Sequence, residues 1–79
     1  MSHAQKLIEV FATGLDIAPE RVTEALKYGE CAEWDSVAHM AMVTELEAAF
    51  DVMLDTEDII ALSCLAEARR ILARHGVTV

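Results

Sequence analysis

The stretch from Trp34 to Asp51, WDSVAHMAMVTELEAAFD, constrains the fold most. A polar pair, Asp35-Ser36, is followed by a run rich in Ala, Met, Leu and Glu that neither Gly nor Pro interrupts. These are strong helix formers. Val37, Met40, Val43, Leu46 and Phe50 recur at spacings of three and four, which predicts one long amphipathic helix with those residues on its buried face. Asp35 and Ser36 stand where short oxygen-bearing side chains accept bonds from the unpaired N–H groups of a helix start. On those grounds alone Ser36 reads either as a cap worth about 1 kcal/mol or as a hydroxyl presented to other molecules.

The chain of 79 residues is read as one domain, 1–79. A hydrophobic content of 54% with one Pro and three Gly favours a compact helical bundle, with little room for a deep catalytic cleft. No apolar run approaches the roughly 20 residues that span a bilayer, and the first residues lack a signal peptide's profile, so a cytoplasmic protein is expected. Cys31 and Cys64 form no metal-binding or redox spacing and read as free buried thiols. The net charge of −8 argues against nucleic-acid binding, which needs cations facing phosphates. From Lys27 to Arg69 there is no intervening basic residue, and the acids concentrate around the Asp35-Ser36 helix. Such a field steers basic partners, or simply keeps the surface solvated.

The remaining elements follow from periodicity and punctuation. A first helix is expected from His3 to about Thr13, capped by Ser2, with Leu7, Ile8 and Phe11 as its stripe and Gly14 at its end. Residues 15–35 form a long connection with a helical turn near Pro19, pinned by Leu15, Ile17, Val22, Leu26 and Tyr28 and punctuated by Gly29. A short helix spans Asp55 to Leu62 with acids in its first turn. Ser63 is expected to cap a last helix, Cys64 to His75, whose apolar face is Leu65, Ala68, Ile71 and Leu72 and which Gly76 closes. The architecture is therefore an all-α four-helix bundle: three main helices, one short one, and a long first loop crossing an antiparallel arrangement.

The residue types present allow three kinds of chemistry to be considered by spacing. Ser36 and His39 are neighbours on a helix surface, but an orienting group, an oxyanion hole and a pocket are not legible, so His39 reads as a surface histidine and the chain as no enzyme. His3, His39, His75 and the two cysteines lack metal-ligand spacing, and Asp51 to Asp58 lacks the alternating ligands and central Gly of a calcium loop. Met40, Met42 and Met53 fill irregular apolar space, in the core or along an adaptable cavity.

At Asp35-Ser36-Val37 the chain resembles the acyl carrier proteins, whose attachment motif is Asp-Ser-Leu or a close variant at the start of the second helix. The resemblance extends over almost the whole chain from Leu15 onward. Leu15-Asp16-Ile17 and Arg21-Val22-Thr23 look like the start of the family's long loop, and Tyr28 falls at its aromatic anchor. Val43, Leu46, Phe50, Leu54, Ile59, Leu62 and Ala68 fall where that family lines its core and acyl pocket. The departures are Ala32-Glu33 in place of Leu-Gly, Val37 in place of Leu, and Asp55 where Pro is frequent. They look more like a freestanding carrier dedicated to a specialised fatty-acid or polyketide-like pathway than like the general fatty-acid carrier.

The resemblance implies a 4′-phosphopantetheine arm on Ser36, added from coenzyme A by a separate phosphopantetheinyl transferase, with acyl intermediates held as thioesters. Asp35 would help present Ser36. Glu45, Glu47 and Asp51 would meet basic patches on acyl-loading and acyl-transfer or synthase enzymes, with Val37 and Met42 adding apolar contacts. The pocket residues would be Tyr28, Val43, Leu46, Phe50, Leu54, Ile59, Leu62 and Ala68, and the protein a monomer. Two rivals stay open: a peptidyl or aminoacyl carrier of the same fold, and a helical protein-interaction module in which Ser36 is only a cap.

Overall fold

A computed structural model describes residues 2–79. Four helices follow one another, α1 (His3–Leu15), α2 (Ser36–Phe50), α3 (Thr56–Ala61) and α4 (Leu65–Arg74), with a 3-10 turn at Pro19–Arg21 in the first connection. There is no strand among the described residues, and no helix among them is long and apolar enough to cross a membrane.

Local chemistry sets the helix starts. Ser2 Oγ accepts from Gln5 N–H, Asp35 from Ala38 N–H and Asp55 from Asp58 N–H, each satisfying one orphan donor of a first turn. The last helix departs from expectation. Cys64, not Ser63, occupies its N-cap position and provides no side-chain bond. Ser63 instead offers its carbonyl to Tyr28 N–H at 2.9 Å, tying the long connection to the α3–α4 junction.

The end of α1 is also corrected. The helix continues through Gly14 to Leu15, and the left-handed residue that stops it is Asp16, at φ 55°. Aspartate tolerates that conformation better than most side chains. Gly14 serves packing instead: a Cβ there would lie 2.5 Å from Met42 Cα, so only glycine lets α1 and α2 approach this closely. Helices α1 and α2 form the principal helix pair.

The core draws Leu7, Val10 and Phe11 from α1, Met42, Val43 and Leu46 from α2, and Leu65, Ala68, Ile71 and Leu72 from α4. Leu54 and Leu62 close it from either side of α3. On α2 the face that the spacing predicts is met in part: Val43, Leu46 and Phe50 are buried, but its first two residues are not. Val37 is 81% exposed and Met40 50%, whereas Met42 is fully buried. Apolar residues occupy both sides of this helix, so periodicity alone includes two residues that stay in water and misses Met42, which packs against Gly14.

The long connection is held by apolar and polar ties together. Ile17 and Val22 are buried and Leu26 is half-buried. Arg21 grips Glu33 through two N–H bonds of 2.7 and 3.0 Å, and Arg69 on α4 reaches Glu24 at 2.7 Å. The Arg21 bonds hold the Glu33 carboxyl down at about 2, with its own backbone and Cys31 assisting. Both pairs are exposed, so their role is to define loop geometry more than to add stability. Cys31 and Cys64 are unpaired and half-buried rather than buried.

A second polar knot joins α3 to the end of α4. Asp58 is 3% exposed and meets Arg74 through one oxygen and His75 Nε2 at 3.0 Å through the other. The bond from His75, then the Arg74 charge, holds its carboxyl below the usual aspartate range against the opposing effect of burial.

Candidate functional site around Ser36

Ser36 opens α2 as its first helical residue, and its side chain is exposed. Asp35 Oδ1 takes the bond from Ala38 N–H at 2.8 Å, so the capping duty belongs to Asp35 and the Ser36 hydroxyl is free of it. This corrects the reading of Ser36 as a cap. Its nearest polar side-chain neighbour is the Tyr28 hydroxyl, 3.5 Å away, which is longer than an ordinary O–H···O bond.

Behind that contact stands an aromatic stack. Tyr28 meets Trp34 and His39 edge to face at 5.8 and 5.2 Å between ring centroids. Trp34 in turn meets Phe11 edge to face at 5.5 Å and lies nearly parallel to His39. Such pairs contribute about 0.5–1.5 kcal/mol beyond burial. Trp34 Nε1–H donates to His39 Nδ1 at 2.8 Å, which assigns the ring proton to Nε2, and Nε2–H donates to the Ile59 carbonyl at 2.8 Å. The loop, α2 and α3 are thereby joined through one imidazole.

His39 is therefore a structural clamp and not the loose surface histidine expected from sequence. With both ring nitrogens engaged it is not placed to take a proton from Ser36. Trp34, to which the sequence reading assigns no role, is 2% exposed. A signal for it existed: Trp34 precedes the cap and His39 is the fourth helical residue, the two positions that pack together in a hydrophobic staple.

A groove of about 270 Å³ opens beside this clamp, lined by Tyr28, His39, Ile59, Ile60, Leu62 and Ser63. No Asp, Glu, Lys or Arg lines it. Three of the expected pocket residues, Tyr28, Ile59 and Leu62, meet here. Val43, Leu46, Phe50, Leu54 and Ala68 are buried in the core and do not line this groove. Ile60 and Ser63 were not foreseen. A larger depression, about 430 Å³, lies between Lys6, Glu9, Val10, Thr13 and Glu45, away from this lining set.

The expected partner surface divides in three. Glu45, Asp51 and Val37 are exposed. Glu47 is half-buried, and its carboxylate accepts Leu54 N–H at 2.8 Å, which secures the α2–α3 turn. Met42, fully buried against α1, cannot touch a partner, and the exposed methionine on that helix is Met40. Glu9, remote from Glu45 in sequence, lines the same depression as Glu45 and belongs to the same surface.

Among the described residues no group of three or more His, Cys, Asp or Glu side chains is arranged to hold a metal ion. Compared with models of known families, with curated proteins and with solved structures, the chain finds no match.

Proposed function

We propose that this protein is an acyl carrier that bears a 4′-phosphopantetheine arm on Ser36. The observation that carries the reading is an exposed serine hydroxyl at the mouth of α2 that Asp35 relieves of capping, 3.5 Å from a tyrosine that lines a groove free of Asp, Glu, Lys and Arg. A small domain suits a tether better than an active site, because a tether needs only one reachable hydroxyl on a rigid helix. The arm supplies a terminal thiol that holds an acyl or aminoacyl group as a thioester.

The chain's own residues have distinct tasks in this reading. Asp35 fixes the first turn of α2 and puts negative charge beside Ser36. Glu45 and Asp51 attract basic patches on the transferase and on the loading and transfer enzymes. Val37 and Met40, exposed one helical turn apart, add the apolar part of that contact. Tyr28, Ile59 and Leu62 are the pocket residues that stay within reach of the arm, while Val43, Leu46, Phe50, Leu54 and Ala68 maintain the bundle. The sequence departures around the motif favour a specialised fatty-acid or polyketide-like pathway. An aminoacyl cargo is equally compatible with this surface, since the loading enzyme selects it.

The deciding experiment is intact mass after incubation with coenzyme A, magnesium and a broad-specificity phosphopantetheinyl transferase, with Ser36→Ala alongside. One phosphopantetheinyl group on the native chain and none on the variant is the expected result. No gain with several transferases would leave an interaction module, built on the exposed Val37 and Met40, as the better account.

A further inference from the structure

We infer that the depression between α1 and α2 is a docking site for a basic amphipathic helix of a partner protein, and that this partner stays bound while Ser36 is engaged by another molecule. The site is independent of what Ser36 carries, because none of its side chains belongs to the groove beside that serine.

Lys6, Glu9, Val10 and Thr13 of α1 and Glu45 of α2 enclose about 430 Å³. Position along α2 separates this face from the serine. Glu45 follows Ser36 by about two and a half helical turns, roughly 13 Å along the axis, so the two side chains leave opposite sides of the helix. Ala41 and Ala48, both exposed, stand one turn to either side of Glu45. Their short side chains let a second helix come close.

The charge of the lining selects the occupant. Elsewhere Glu24, Glu33, Asp58 and Glu67 each meet an arginine, and Glu47 accepts Leu54 N–H. Neither Glu9 nor Glu45 forms an ion pair among the described residues, and Glu9 accepts only a long bond of 3.4 Å from the Gln5 side-chain amide. The single cation of the lining, Lys6, has its ammonium 5.3 Å from the centre of the Phe50 ring, which draws it. Two unpaired carboxylates thus flank one aliphatic residue, Val10. Small-molecule sites are mainly apolar and aromatic, and this lining is neither. It suits an arginine, whose stem lies on apolar surface while its guanidinium fork meets carboxylates and sheds water more readily than an ammonium. Apolar residues three and four positions away on the same partner helix then cover Val10 and the alanines. Glu45 also adds to the field that draws any basic enzyme, but contact through it is made on the side away from Ser36.

The test is NMR amide-shift mapping on the full chain, titrated with a capped helical peptide of about 15 residues, long enough to hold a helix in water. The peptide presents Leu and Arg at three- and four-residue spacing on one face, and a second peptide has Gln in place of each Arg. The arginine peptide is expected to move the amides from Lys6 to Thr13 and that of Glu45, and to leave Tyr28, Ser36 and Val37 in place at saturation. Glu9→Gln combined with Glu45→Gln is expected to weaken it about tenfold, as two rim charge pairs should. Glu20→Gln combined with Glu57→Gln removes the same charge from exposed positions outside the depression and is expected to change the affinity less than about twofold. Shifts centred on Val37 and Met40, equal losses in the two double variants, equal binding of the glutamine peptide, or no saturable binding of the arginine peptide would each overturn the site. None of these outcomes bears on whether Ser36 accepts a phosphopantetheinyl group, which the mass measurement decides separately.

Discussion

Helices α2 and α4 both feed the core, but only α4 declares in sequence which side it buries. Its apolar residues Leu65, Ala68, Ile71 and Leu72 are all buried, and Arg70 and Arg74 on its other sides remain in water. On α2 the buried set is Met42, Val43, Leu46 and Phe50, while Val37 and Met40 stand exposed beside Ser36. A helix with one duty has a polar back. A helix that packs on one side and leaves apolar residues exposed on the other carries hydrophobic residues around much of its circumference, and its period reports its orientation only in part.

The strongest way to break this contrast is to alter the buried side of both helices and the exposed side of α2. Leu46→Ala and Ile71→Ala are each expected to lower stability by about 2–5 kcal/mol. Val37→Ser and Met40→Gln should stay within about 0.5 kcal/mol of the native chain. Denaturant unfolding of the four variants provides the measurement. A Met40→Gln loss as large as that of Leu46→Ala would mean that the outer face of α2 is covered in solution.

A smaller effect should appear where α4 ends. Asp58→Asn removes the charge that Arg74 and His75 share and is expected to cost about 1–3 kcal/mol, less than a fully buried pair because the Arg74 side chain is more than half exposed. The folded Asp58 carboxyl lies below its ordinary 3.8, so its stabilising contribution is complete above that pH and disappears as pH falls through the lower folded value. Glu33 behaves in the same sense, losing its contribution between its ordinary 4.5 and about 2. Acid titration followed by circular dichroism should therefore show the native and Asp58→Asn proteins separated near neutrality and converging in strong acid. Parallel curves that never converge would detach Asp58 from the acid transition.

Small and unequal changes in stability are expected at the start of α2, where two adjacent side chains differ in what they hold. Asp35→Ala should cost about 1 kcal/mol through the lost bond to Ala38 N–H. Ser36→Ala should leave the melting temperature nearly unmoved, since its hydroxyl caps nothing. Equal losses at the two positions would return Ser36 to the role of a cap.

Much of this molecule was written in local chemistry. The helical class, the cap at Ser2, the acidic start of α3, the stripe of α4 and the location of Ser36 follow from short-range spacing and from which side chains can satisfy a helix end. Such features depend on residues within a turn or two of one another, and the chain carries that information wherever it goes. Other features needed distant partners. Gly14 looked like a helix terminator until Met42 was brought against it, and Trp34 and His39 became a clamp only when Ile59 offered its carbonyl across from α3. Asp58 looked like one more surface acid until Arg74 and His75 arrived to justify its burial. Sequence determined the elements and the serine at the start of α2; tertiary structure alone decided that Met42 joins the core while Val37 and Met40 do not, which acids are engaged and where the groove opens, because each of those depends on how close two remote backbones can come.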